Sequence, residues 1–154
     1  MGIKVRKGCP DDLGWLLPEL QEFSLFFGTR RQLYSDTEFV KIGLMEMMRN
    51  DVFLVAEREA DAEGPVTPLG FIAGIVRPHM MNPAITCLNE VFWWVKESER
   101  KSRAAVLLFN EFVAWGKENV DWIFFALEAH SPVNEDALID RGFRLQERNF
   151  IMEV

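Results

Sequence analysis

Cysteine, histidine and tyrosine are scarce in this chain of 154 residues: two Cys, two His and one Tyr. Cys9 and Cys87 lie far apart, no CxxC pair occurs, and His79 and His130 stand alone. Neither a disulfide-stapled secreted scaffold nor a structural zinc site is expected, and no metal is implied. Long apolar runs are missing too. The longest, 69–76, falls far short of the roughly 20 residues that cross a bilayer, so no membrane role is expected. Basic charge is in deficit, with 17 Lys plus Arg against 24 Asp plus Glu and a net charge of -7. That argues against a general nucleic-acid binder, whose basic face must release counterions from phosphates, and suits amine-bearing partners. Neither GxGxxG nor GxxxxGK[ST] occurs, which weakens a nucleotide-binding reading. Lys4, Arg6 and Lys7 precede Asp11 and Asp12 with no apolar stretch between, and Arg6 stands where a myristoylation motif needs Ser or Thr. A reduced, cytoplasmic location is the expectation.

What is abundant is apolar and aromatic: 49% hydrophobic residues, 13 Phe and 5 Trp. A folded chain of this length buries roughly 70% of its unfolded surface. Disorder is excluded, and 1–154 is expected to be one domain. Period-two alternation predicts a strand at 3–7. Pro10, Asp11 and Asp12 open an amphipathic helix through Leu13, Leu16, Leu17, Leu20, Phe23 and Phe27, which Pro18 should kink or split. Ser35 to Glu38 can cap a second helix running to about Asn50. Strands are predicted at 52–59 and 69–77 around a polar tip at 60–68, then a two-proline break at 78–83 and a strand at 86–95. Its continuous apolar end, Val91 to Val95, implies cover on both faces. A helix at 102–119, a strand at 122–128, a helix at 133–141 and a strand at 143–152 complete the order β-α-α-β-β-β-α-β-α-β.

Residues 86–105 carry the chemistry. A buried strand runs into a loop bearing Lys96, Arg100, Lys101 and Arg103 against only Glu97 and Glu99, so this window is positive inside an acidic chain. Ser102 then precedes a helix that opens with the small residues Ala104 and Ala105. Orphan backbone N–H groups and the helix dipole there make an anion site that a pyrophosphate would fit. The plainer alternative is a solvated basic loop.

These residues resemble the GNAT superfamily of acetyl-CoA-dependent N-acyltransferases. Arg100-Lys101-Ser102-Arg103-Ala104-Ala105 is similar to the family's Gln/Arg-x-x-Gly-x-Gly/Ala signature. Asn134-x-x-Ala137 and Arg141-Gly142-Phe143 resemble its closing helix and the entry to its last strands. Within the family, the Trp-Val strand and Arg-x-x-Arg-Ala loop are most similar to small proteins of tailed phages, which would place the chain in a host cytoplasm. The resemblance implies an α/β fold with a central mixed sheet flanked by helices, splayed at the cofactor site. It implies acetyl-CoA as donor and coenzyme A as product, with the backbone of Trp94, Val95 and Lys96 pairing with the pantetheine arm. N–H groups from Lys101 to Ala105 would hold the pyrophosphate, and Asn134 would lie near the thiol end. Two departures stand out: Arg103 replaces a common glycine, and Leu138 replaces the tyrosine that protonates the departing thiolate in many members.

Transfer to an amine needs a free lone pair, yet a lysine-type amine with a reference pKa of about 10.4 is protonated at neutral pH. Glu90, beside Val91, Phe92 and Trp93, is the candidate base, because apolar surroundings raise a carboxyl pKa. Some members of the resembled family use a glutamate at a comparable place. The alternative for Glu90 is pairing with an arginine or facing solvent. His130 is a candidate acid or second base, or an ordinary loop histidine, and Glu128 a candidate contact for a cationic acceptor. Trp15, Phe23, Phe26 and Phe27, with Met45, Met47 and Met48, read as core packed over the sheet. The expected partner is an amine-bearing small molecule or protein, and a homodimer is allowed. The competing function is a protein of the same fold without catalysis that binds a partner protein, with acyl-CoA as ligand or none, which Leu138 and Arg103 favour.

Overall fold

Strand β1 (Ile3–Lys7) leads through a 3-10 turn at Pro10–Asp12 into α1 (Leu13–Ser24). A second 3-10 turn, Leu25–Phe27, precedes α2 (Thr37–Asn50), β2 (Val52–Arg58), β3 (Thr67–His79) and β4 (Asn82–Val95). A turn at Glu97–Glu99, α3 (Ala104–Asn119), β5 (Trp122–Phe124) and α4 (Glu135–Ile139) follow. These elements come from a computed structural model that describes residues 2–60 and 64–154, so part of the predicted 60–68 tip, 61–63, lies outside the described residues. The five strands form one sheet in chain order, antiparallel except for β4 and β5, which run parallel. The α/β architecture with a mixed sheet flanked by helices is the expected one.

Alternation along β2 builds two layers of core. Val52, Leu54 and Ala56 pack with Ala104, Leu108 and Phe112 of α3, while Phe53 and Val55 pack with Leu16 and Leu20 of α1 and Leu44 of α2. The double cover explains the unbroken apolar end of β4. Trp93 stacks toward Phe109 on the α3 face, and Trp94 meets Phe23 and Phe26 on the α1 face. A charged network pins the start of α1 to the sheet: Arg6 donates twice to Asp12 at 2.8 Å and once to Glu57 at 2.7 Å. Burial alone would raise the Asp12 pKa. Hydrogen bonds from Arg6, the Cys9 N–H and the Trp15 indole, with the Arg6 charge, outweigh it and hold the carboxyl at about 2.

Several predicted boundaries are corrected. α1 runs through Pro18 without splitting, because Pro18 and the Gly14 carbonyl it would strand both lie on the exposed side, where water replaces the lost bond. α2 keeps its expected bounds, with Asp36 as the cap, accepting from the Phe39 N–H at 3.0 Å. The expected break at 78–83 is instead the end of a long hairpin turning at Met80 and Met81. Pro78 and Pro83 are tolerated because β2 stops opposite Gly74 and β5 begins opposite Cys87, so neither proline has an outer neighbour needing its N–H. α3 starts at Ala104, two residues later than expected, and α4 is only Glu135–Ile139. β5 keeps three of the seven predicted residues, and 143–152 forms no strand.

Candidate active site

β4 and β5 pair only through Cys87, Leu88 and Asn89, opposite Trp122, Ile123 and Phe124, and then part. The parting coincides with a β-bulge: Ala73 faces Phe92 whereas Gly74 faces Glu90, which leaves Val91 as the extra residue that bends β4. Gly74 is required beside it, since a Cβ there would lie 2.7 Å from the Phe112 ring and 2.9 Å from the Asn89 carbonyl oxygen. Beyond Asn89, β4 has no strand on this edge among the described residues. The Lys96 N–H donates across the sheet to Leu69, so the Val95 amide faces the opening, where its carbonyl lies 3.4 Å from Arg100 Nε.

Glu90 occupies the apex of this opening. One carboxylate oxygen accepts from the Ala126 N–H at 3.4 Å, a long bond that bridges the two parting segments. Burial pushes the carboxyl pKa up and the single Ala126 bond only partly opposes it, leaving the group at about 7. It meets no arginine, so the pairing alternative finds no support among the described residues. A carboxylate half ionised near neutrality can take a proton from an incoming group.

At the mouth of the opening stands the N-terminus of α3. The Ala104 N–H meets Ser102 Oγ at 3.2 Å and the Leu107 N–H meets the Arg103 carbonyl, while the N–H groups of Ala105 and Val106 find no acceptor among the described residues. These donors and the helix dipole can hold an anion. Lys101 and Arg103 are exposed beside them. The other two basic residues turn to the opposite face: Lys96 lies over the Trp15 ring at 5.5 Å, and Arg100 over Trp94 at 4.7 Å and Phe26 at 5.4 Å. Glu99 is held by Arg58, whose hydrogen bonds lower its carboxyl pKa, and this pair braces the loop.

Between Trp93, α3 and α4 opens a cavity of about 190 Å³, lined by Ala105, Val106, Phe109, Val133, Asn134, Ala137, Leu138 and Arg141. It is mainly apolar and can take a flexible chain leading inward from the anion site. The Asn134 side chain accepts from the Asp136 N–H at 2.9 Å and so caps α4 at the cavity wall. Trp94 is buried on the far face, its indole donating to Glu19 at 2.8 Å, and its backbone, in register with Phe71 and alternating with Val95, turns to β3 like that of Lys96, so of the expected Trp94, Val95 and Lys96 only Val95 presents its amide to the opening. His130 is exposed in a turn closed by the Ser131 N–H and the Glu128 carbonyl, and no contact joins it to Glu90 among the described residues. Glu128 is half-buried on the segment leaving β5. The cavity residues Phe109, Leu138 and Arg141 were missed as a set. The i, i+4 spacings of Ala105 with Phe109 and of Asn134 with Leu138 would have placed them on facing helix sides.

No family model matches the chain, and no curated protein is significantly similar to it. Solved structures are similar over nearly its whole length. A transcriptional regulator from Bacillus halodurans superposes with a TM-score of 0.75 at 16% identity, covering 99% of this chain and 100% of that one. A predicted acetyltransferase from Clostridium acetobutylicum, solved with acetyl-CoA, gives 0.70 at 16%, covering 99% and 96%. An aminoglycoside acetyltransferase from an uncultured soil metagenomic sample, in complex with sisomicin, gives 0.67 at 12%, covering 99% and 96%. With its parting β4 and β5, the helix N-terminus at their mouth and this breadth of structural likeness, the chain has the fold of the GNAT-like acetyltransferases.

Proposed function

We propose that residues 1–154 act as one unit that transfers an acetyl group from acetyl-CoA to an amine by direct attack. The observation that carries this reading is Glu90, a carboxyl raised to about 7 at the apex of the β4–β5 opening, in a site whose mouth holds the Ala105 and Val106 N–H groups, which have no acceptor among the described residues. The residues present fit the cofactor: free N–H donors of α3 suit its phosphates, the outward Val95 amide suits the amides of its arm, and the apolar cavity against Trp93 suits a flexible chain. Bound acetyl-CoA supplies a thioester activated toward nucleophiles. Glu90 takes the proton that an ammonium must lose before it can attack, and such a base is typically worth 10²–10⁴-fold in rate. Lys101 and Arg103 add exposed positive charge near the phosphates, and Glu128 offers a negative charge to a cationic acceptor. The amine class is supported by the sisomicin complex of a structural neighbour.

Two measurements test the reading. Acetyl-CoA at about 100 times its Kd should add about 2.7 kcal/mol, seen as a rise of roughly 5–10 °C in melting temperature. Absence of any shift at millimolar cofactor rejects the donor. Thiol release with a panel of amines should then rise with pH through about 7, and Glu90→Gln should remove that activity while leaving the cofactor-induced shift intact. Full activity of Glu90→Gln across pH removes Glu90 from the reaction.

A further inference from the structure

The loop between α1 and α2 gathers positive charge without a matching acid. From Phe23 to Ser35 the sequence has two arginines, Arg30 and Arg31, and no Asp or Glu. Gly28, at φ +62°, turns the chain after the Leu25–Phe27 segment, in a conformation that side chains resist. Thr29 Oγ donates to the Arg31 carbonyl at 2.8 Å and ties the turn that follows. The loop is thus shaped by its own contacts, and the backbone N–H groups of Arg30 and Arg31 converge. They meet the Glu153 carboxylate: Arg30 donates to both oxygens, at 2.7 and 2.9 Å, and Arg31 to one at 3.4 Å. Successive N–H groups of a turn make a concavity that selects an anion. A cavity of about 250 Å³ is lined by both arginines and by Leu25 and Leu33. Neither guanidinium pairs with a carboxylate among the described residues, and the two leucines are 67% and 52% exposed.

We infer that this loop is a binding site for a small dicarboxylate, with Glu153 as the resident carboxylate that the ligand displaces. The group already seated on the N–H pair shows the chemistry that fits there, a planar carboxylate with both oxygens engaged. A second carboxylate on the same molecule answers the charge that Glu153 leaves unmatched on the arginine side chains, through the forked, charge-assisted bonds a guanidinium makes. A short methylene chain between the two covers Leu25 and Leu33. The cavity is smaller than the roughly 300–1,000 Å³ of pockets for drug-sized molecules, which sets the ligand at a few carbons. Glu153 is exchangeable because its neighbours add little to its hold: Met152 and Val154 are 84% and 106% exposed. Its tether lets it compete at an effective concentration on the order of millimolar, against which the ligand sets two anchoring charges in place of one.

The test is a titration of the isotope-labelled full chain with glutarate, followed by the nuclear magnetic resonance shifts of the Arg30 and Arg31 amides. Butyrate and inorganic phosphate serve as the monocarboxylate and the non-carboxylate anion. Glutarate should shift both amides saturably and bind more tightly than either control. Glu153→Gln removes the competing charge and should lower the apparent Kd for glutarate by about threefold or more, an effect opposite to that of losing a ligand contact. The double variant Arg30→Ala/Arg31→Ala keeps both N–H groups and alters only exposed side chains, and in it glutarate should lose its advantage over butyrate. The same spectra show whether each variant is folded. Absence of a saturable shift in Glu153→Gln overturns the site, and an unchanged Kd there overturns the role of Glu153. Butyrate or phosphate binding the parent as tightly as glutarate overturns the dicarboxylate assignment. Binding alone is read, so these outcomes do not depend on acetyl transfer.

Discussion

Replacing Glu90 with Gln should stabilise the protein, by an amount set by pH. The Glu90 carboxyl moves from 4.5 to about 7 on folding because burial disfavours its charge. Between those values the unfolded chain has already lost the proton that the native state keeps, so native stability falls as pH rises. Below about pH 4.5 both states hold the proton and the term is flat; above about pH 7 both have lost it and the term is flat again. A shift of this size is worth about 3.4 kcal/mol at 1.36 kcal/mol per pKa unit. The side chain keeps some contact with water, which brings the expected figure to about 2–3 kcal/mol. Glutamine has the same shape and never ionises, so the stability of Glu90→Gln minus that of the parent should grow by this amount from pH 4.5 to pH 8. In urea, with a slope of about 2 kcal/mol/M, the midpoint gap should widen by roughly 1–1.5 M. Subtraction cancels every other titrating group. A gap that stays constant with pH, or a parent more stable than the variant at pH 8, refutes the burial argument and with it the basis for Glu90 as a base.

Three further outcomes follow from the packing. Arg100→Ala should lower stability by about 0.5–2 kcal/mol, through loss of its stacking on Trp94 and Phe26, yet leave the acetyl-CoA-induced thermal shift in place, whereas Arg103→Ala should reduce that shift. Asp12, held at about 2 against an unfolded 3.8, contributes about 2 kcal/mol above pH 4 that is lost as pH falls toward 2; the stability gap between the parent and Asp12→Asn should therefore shrink across that window in urea titrations. Gly74→Ala should cost about 1–3 kcal/mol in chemical denaturation, because its new methyl meets the Phe112 ring and the Asn89 carbonyl beside the bulge.

Hydrophobic period made the sheet and its two helical layers legible, because alternation in β2 and the i, i+3, i+4 pattern of α1 are local properties of the chain. The same locality misread the prolines. Pro78 and Pro83 break a strand only where a neighbour needs their N–H, and how far β2 and β5 extend beside them is a long-range fact. The tail fails for the converse reason: its composition suits a strand, but no strand among the described residues pairs with it. The site was read in part. Apolar neighbours of Glu90 foretold its burial, whereas the Asn134 cap of α4 went unread in a helix begun at 133, and the Val91 bulge that opens the cleft depends on what Gly74 meets across the sheet. Charge counting was least reliable about direction. It put four cations at one helix entrance, but Lys96 and Arg100 spend theirs on the aromatic rings of the α1 face. An anion at α3 would therefore be held first by backbone N–H groups, with Lys101 and Arg103 as peripheral charge. Backbone donors recognise phosphate without requiring a basic protein, which is how an acidic chain with net charge -7 can still carry such a site.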